Sequence, residues 1–325
     1  MDLTDKLLCR TCVYTGEYRD LRGHKSIQLA FAVKENQLSI RRNNTRFLAN
    51  VSLKHGLKEI AVTCATESSF LTFWSIIVDL LRFESLFDGC FYPIVSLYVD
   101  NKDYSDDVKS EILAYYLSNQ RNGFINHSFS NTQYRKLFYS WKRYEKALDI
   151  TNPVFLYSFY TNGLTVDVRL ALLLQVFEPI SIQENMQGEL SLNCSPYITH
   201  SARCPNCGTT VSKSIKNKQL HFEDELRAIL HKYGTTIFEG DDTNRLLKKA
   251  VASRNRIDHV LINKADLRKC LSAEQSGFYL QKFALLYRII VLQYIGVDAR
   301  LLDDFTKNAV TSLNRQFQQY RLKKR

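Results

Sequence analysis

Alternating apolar positions open the chain. Ile27, Leu29, Phe31 and Val33 recur at period two, and Leu38 and Ile40 do so again after a turn predicted at Lys34-Glu35-Asn36-Gln37. Ile60, Val62 and Cys64 make a third run of this kind. Such spacing puts alternate side chains on one face of a strand. The period then changes. Phe70, Phe73, Trp74, Ile77, Leu80, Leu81 and Phe87 fall on one side of a helix over 67–87, strand character returns over 91–99, and helices are predicted over 106–117 and 132–148. Residues 1–25 show no clear period and read as irregular.

Asn152-Pro153 and Thr161-Asn162-Gly163 interrupt the pattern and mark a boundary. Beyond it the apolar spacing is helical. One amphipathic helix is predicted over 165–180, and a second over 222–233 with Glu223, Asp224 and Glu225 in its first turn. A third is capped by Asp242-Thr243 and runs through Leu246, Leu247, Ala250 and Val251. Ser272 with Gln275 forms a capping box for a fourth helix to Ile295, which Gly296 stops, and 298–320 adds a last one. Residues 183–220, rich in Ser, Asn and Lys, read as an insertion. The predicted fold class is therefore α+β. A mixed α/β domain over 1–155 precedes an all-α helical bundle over 156–325 that carries the insertion.

Charge adds a direction. The net charge is +11. Residues 1–150 hold 20 Lys and Arg against 17 Asp and Glu, while 151–325 hold 24 against 16, so most of the excess lies in the helical half. A basic surface favours an anionic partner, nucleic acid first, and the 18 Tyr and 19 Phe supply rings on which bases can stack. The aromatic run Tyr134, Phe138, Tyr139, Trp141 and Tyr144, interleaved with Arg135, Lys136, Lys142 and Arg143, reads first as an amphipathic helix with one core face. The longest apolar stretch, 70–81, includes Asp79 and is too short to span a bilayer. The start of the chain is acidic and polar rather than a secretion signal, which predicts a cytoplasmic protein with reduced thiols and no membrane partner.

The third helix of the bundle ends in Ser253-Arg254-Asn255-Arg256-Ile257-Asp258-His259. Arginine offers a permanent charge and a fork of donors for phosphoryl oxygens. Histidine titrates near neutrality and can give or take a proton. Asparagine can orient either. Arg254, Asn255 and His259 are thus candidate catalytic residues for attack of an RNA 2′-hydroxyl on its neighbouring phosphorus, a route that needs no metal and leaves DNA intact. Lys248, Lys249 and Arg256 are candidate RNA contacts. The competing reading makes Arg254 and Asp258 an i,i+4 ion pair on a solvated face. On an ideal helix, residues five apart are separated by about 140° around the axis. Arg254 and His259 therefore share a site only if the helix breaks or a second copy completes it.

Arg-Asn-x-x-x-His at the end of the third helix of a bundle resembles the motif of HEPN-domain ribonucleases, with 168–178 similar to the family's first helix and Leu292-Gln293-Tyr294-Ile295-Gly296 to the end of its last. With a mixed domain ahead of it, the chain resembles the ApeA-like HEPN proteins of bacterial anti-phage defence. The resemblance covers roughly 160–300. It implies a homodimer with a composite cleft, RNA as substrate, a phage-encoded trigger sensed by the N-terminal domain, and Arg254, Asn255 and His259 as the cleaving residues. Some members of the family lack cleavage and act as binding modules, which is the alternative function.

Two Cys-x-x-Cys pairs stand apart from this chemistry. Cys204-Pro205-Asn206-Cys207-Gly208 reads as a zinc knuckle, since two thiolates at this spacing hold one metal and the glycine permits the tight turn. A structural zinc needs two further ligands. Cys9 and Cys12 are the first candidates, and Cys194 with His200 the rival pair. Without the nuclease motif, a zinc-stabilised nucleic-acid binder is the third reading.

Overall fold

A computed structural model describes residues 7–17, 35–54, 57–89, 94–105, 129–148, 150–160, 163–190, 192, 195, 197–217, 220–258 and 267–323. The strand expected at 27–33 and the helix at 106–117 lie outside the described residues. The fold is α+β, and the chain divides into two compact units. The first combines Met1–Asp149, Leu156–Leu164 and Ile290–Phe305; the second combines Ile150–Phe155, Thr165–Ile289 and Thr306–Arg325.

The first unit is built on an antiparallel sheet. Strands β1 (Leu8–Glu17), β2 (Glu35–Arg42), β3 (Thr45–Lys54), β4 (Leu57–Ser69), β5 (Ile94–Val99) and β6 (Lys102–Asp103) are arranged in the order β2-β3-β4-β1-β5-β6. Two sequence expectations fail here. The irregular start is in fact β1, an interior strand paired with β4 and β5, and the predicted turn at 34–37 is largely the beginning of β2. In β1 the inward positions are Cys12 and Tyr14, whose mixed polarity hid the period. In β2 the outward Glu35 and Gln37 look like turn residues, while Asn36, Leu38 and Ile40 are buried at period two. The β2–β3 turn uses Asn43 and Asn44, both at positive φ (45° and 63°), where asparagine is tolerated better than most side chains.

Helix α1 (Phe70–Asp88) packs against β1 and β4, starting at the Ser69 cap and ending at Gly89 in the left-handed conformation. Helix α2 (Asn131–Ala147) begins with a full capping box, Ser130 with Gln133. The aromatic run sits as the amphipathic reading expects. Tyr134, Phe138, Trp141 and Tyr144 are buried, and the Phe83 ring of α1 meets Tyr134, Phe138 and Trp141 at centroid distances of 5.4, 5.4 and 5.6 Å.

Charges are buried between these layers, and each has a partner. Lys58 of β4, 2% exposed, pairs with Glu84 and with Asp88 at 3.0 Å, and the Tyr134 hydroxyl donates to Glu84. Burial alone would lower the Lys58 ammonium, but the charges of Asp88 and Glu84 and their hydrogen bonds outweigh it and raise its pKa. Asp79 accepts from Arg42 at 2.5 Å and Lys142 at 3.0 Å, tying α1 to β2 and α2.

The second unit is mostly helical: α4 (Val166–Gln175), α5 (Phe177–Met186), α6 (Phe222–Tyr233) and α7 (Thr243–Asp258), with parts of α3 (Thr151–Tyr160), α8 (Ala273–Tyr294) and α9 (Ala299–Lys323), each of which is shared with the first unit. Asn152-Pro153 does not end an element but opens α3, with Pro153 in the first turn, where its missing N–H costs nothing. The single helix expected over 165–180 is two, separated by a turn at Val176. Phe283 of α8 meets Phe177 and Phe238 at centroid distances of 5.8 and 5.1 Å, at the centre of the helical core. Two polar ties hold the layers. Glu184 of α5 accepts from Lys232 (2.7 Å) and Tyr233 (2.6 Å) of α6, and Asp241 accepts from Lys282 (2.7 Å) and Tyr279 (3.1 Å) of α8. The insertion carries a two-stranded hairpin, β7 (Tyr197–Arg203) with β8 (Thr210–Lys216), so the unit is not all-α. No helix among the described residues is long and apolar enough to cross a membrane.

Removing the ammonium of Lys58 strands two carboxylates in the interior. Lys58→Met is expected to lose about 3–5 kcal/mol of stability, read as a fall in the urea midpoint at unchanged slope.

Candidate active site

Helix α7 presents the Arg254 stretch. Leu246, Leu247 and Ala250 are buried along it, and Arg254 follows Leu247 and Ala250 at seven and four residues, on the same side. Its guanidinium is accordingly turned inward rather than to solvent. Arg254 Nη2 lies 3.4 Å from Glu178 Oε2 of α5, with the two side chains 18% and 25% exposed. Its Cζ sits 4.5 Å from the centroid of the Phe222 ring, at the start of α6. The arginine is held by a carboxylate and by an aromatic face, both of which favour its charge.

The inward side of α7 faces α4 and α6 rather than solvent, and Arg254 pairs there with Glu178; the side chain of Asp258, the i,i+4 position, lies outside the described residues. Arg256 Nη1 is 4.0 Å from Asp167 Oδ2 of α4. Burial would raise the Asp167 carboxyl, but hydrogen bonds from the Thr165 hydroxyl and from the backbone N–H groups of Asp167 and Val168, with the Arg256 charge, hold it below its ordinary value. Asn255 is half-buried, Lys249 half-buried and Lys248 exposed on the same helix. Arg256 in the last turn complements the helix dipole. Helix α7 ends at Asp258. His259 follows directly and lies outside the described residues, so the geometry of the Arg254–His259 pair is not described.

The end of α7 is tied to the next segment by Ser253. Its hydroxyl donates to the Lys249 carbonyl (2.8 Å) and accepts from the Leu271 backbone N–H (2.9 Å). Glu178, Phe222 and Asp167 were not found from the sequence. Each is far from α7 along the chain, and only the packing of α4, α5 and α6 brings them to it. The arrangement is an Arg254–Glu178 ion pair backed by the Phe222 ring. A phosphate entering beside Arg254 would meet the guanidinium already oriented and would compete with Glu178 for it.

The cysteines separate into two environments. Cys9 and Cys12 are fully buried on β1, in the first unit. Burial, with the Asp100 charge adding to it, pushes the Cys9 thiol up to about 12 and raises Cys12 as well. Both are buried thiols of the sheet. Cys204 and Cys207 belong to the second unit, at the turn of the exposed β7–β8 hairpin. Hydrogen bonding of the Cys207 thiol with the Thr209 hydroxyl (3.2 Å) and backbone, and with Cys204, holds it down at about 7. His200 is exposed on β7, and Cys194 lies outside the described residues. Among the described residues no three His, Cys, Asp or Glu side chains are grouped so as to hold a metal ion.

No family model matches the chain, and no curated protein or solved structure matches it. The site therefore stands on its own geometry.

Ser253→Ala leaves the buried Leu271 N–H without its acceptor. A loss of about 1–3 kcal/mol is expected, measured as a lowered melting temperature.

Proposed function

We propose that this chain is a metal-independent endoribonuclease of the HEPN type. The observation that carries the reading is the clamp on Arg254: a permanent cation, oriented by Glu178 and Phe222, at the end of a helix that also bears Lys248, Lys249 and Arg256, with Asn255 beside it and His259 next along the chain. In this scheme the RNA 2′-hydroxyl attacks the adjacent phosphorus. His259 takes its proton or supplies one to the leaving 5′-oxygen, and Arg254 with Asn255 neutralises the charge that builds on the phosphoryl oxygens. The two motifs of a homodimer supply the acid and the base together, since one His259 cannot hold both roles at once. A 2′,3′-cyclic phosphate and a 5′-hydroxyl are the products. The first unit then senses a phage-encoded trigger or restrains cleavage, and the setting is cytoplasmic antiviral defence. These biological elements rest on the resemblance of the Arg254–His259 motif and its helices.

A second reading is favoured by the same clamp. An arginine already paired with a carboxylate and stacked on a ring can be purely structural, and the chain is then a non-catalytic HEPN-like module that binds nucleic acid or protein.

One assay separates them. Total RNA incubated with the protein in EDTA is expected to be cut, and Arg254→Ala and His259→Ala are each expected to lower the rate at least 100-fold, about 3 kcal/mol of transition-state stabilisation. RNA binding without cleavage at any protein concentration supports the module. Glu178→Gln gives a further check, because it removes the carboxylate that competes with phosphate. It is expected to tighten RNA binding about three-fold at low salt, with the gain lost as salt rises, as read by filter binding.

A further inference from the structure

The β7–β8 hairpin has no visible reason to be stable by itself. Every residue of β7 is exposed, and an isolated two-stranded hairpin is marginal in water. Its two faces differ. On one, Thr199 and Ser214 share a hydrogen bond at 2.9 Å and Ser201 and Ser212 another at 2.8 Å. On the other, the register pairs Ile198 with Ile215 and Ala202 with Val211, with His200 and Lys213 between them. Val211 is 66% exposed and Ile198 and Ile215 about two-fifths, so this apolar face is uncovered.

The turn is far more ordered than the strands require. The Cys204 N–H donates to the Thr209 carbonyl at 2.8 Å, the Gly208 N–H to the Cys204 carbonyl at 3.0 Å, and the Arg203 guanidinium to the Gly208 carbonyl at 3.1 Å. Gly208 has φ 71°, a conformation strained for any side chain. These bonds hold Cys204 and Cys207 within one tight turn at the tip. This is half of a tetrahedral thiolate site. The described residues provide no third and fourth ligand beside it, and Cys9 and Cys12 are buried in a strand of the other unit. An exposed tip with two ligands and an uncovered apolar face can complete both with the same surface of another molecule, as a two-fold axis requires.

We propose that the hairpin tips of two copies of this chain share one zinc ion, held by Cys204 and Cys207 of each, with the Ile198/Ile215/Val211 faces packed together behind it. Four thiols each lose a proton to solvent as the ion binds, giving a closed four-sulfur site of the structural kind. The zinc is then an intermolecular staple, independent of RNA cleavage. It would also hold two Arg254 stretches in one particle.

The test is metal analysis of the full-length protein purified under a phosphine reductant. About one zinc per two chains is expected, with X-ray absorption giving four sulfur ligands at about 2.3 Å. The Cys204→Ser/Cys207→Ser variant is expected to keep its circular dichroism and to bind no zinc. Cys194→Ser and His200→Ala are expected to leave the zinc content unchanged. The apolar face is tested by Val211→Asp, expected to weaken zinc retention against a chelator about ten-fold with all four cysteines present. One zinc per chain, nitrogen in the ligand shell, zinc loss in Cys194→Ser or His200→Ala, or no zinc in the untreated protein each overturns the proposal. Because RNA cleavage is read separately, an active enzyme without zinc overturns the staple alone, and a zinc-bridged but inactive protein overturns the ribonuclease alone.

Discussion

A guanidinium cannot be turned into a helical core unless something there keeps its charge favourable. In the second unit Arg169 and Arg288 are buried, and Arg254 is partly so; for Arg254, three elements meet the condition. Helix α5 brings the Glu178 carboxylate, the first residue of α6 brings the Phe222 ring, and α7 sets the arginine on its buried side beside Leu247 and Ala250. The packing is therefore coupled to the site: α5 and α6 are themselves joined through Glu184, Lys232 and Tyr233, and a shift of either would move a wall of the clamp. The pair is only partly desolvated, with both side chains keeping some exposure, so the cost of burial is moderate and the cation remains within reach of an anion from solvent. That combination of orientation and access makes a phosphate-handling role physically reasonable and also explains why a structural role competes with it.

The first unit meets the same constraint differently. Lys58, Glu84, Asp88 and Tyr134 satisfy one another almost without solvent, and Asp79 gathers Arg42 and Lys142 at a second point between α1, α2 and the sheet. The Lys58 cluster is closed to solvent, whereas Arg42 and Lys142 keep part of their surface exposed. These clusters specify how helix and sheet layers register, since an apolar layer alone could slide whereas a buried ammonium between two carboxylates cannot.

Periodicity was a good guide where one face is apolar and the other polar. Helix α1, with Phe73, Ile77 and Leu80 inward, the α2 aromatic face and the long α8 and α9 were all legible. It failed where polar residues face inward or apolar ones outward. In β1 the buried positions are Cys9, Cys12 and Tyr14, among polar neighbours, and no apolar period marks the strand. In the β7–β8 hairpin, Thr, Ser and Lys alternate with Ile and Val, but all are exposed, and the Ser- and Lys-rich composition hid the strands. For the site, Arg254, Asn255 and Arg256 were legible as a motif, while Glu178 and Phe222 were not. Their roles depend on helices meeting across 76 and 32 residues of chain, a fact of packing that no local spacing encodes.

The central claim is that this chain cuts RNA through the substrate's own 2′-hydroxyl, without a metal in the reaction. The most direct measurement is on an RNA oligonucleotide containing a site the protein cuts, incubated in EDTA, with the chemistry of both new ends determined by mass spectrometry. A 2′,3′-cyclic phosphate and a 5′-hydroxyl are predicted, and replacing the single ribose at the scissile position by deoxyribose is predicted to abolish cleavage there. A 3′-hydroxyl with a 5′-phosphate, or undiminished cutting at the deoxyribose position, would contradict the account.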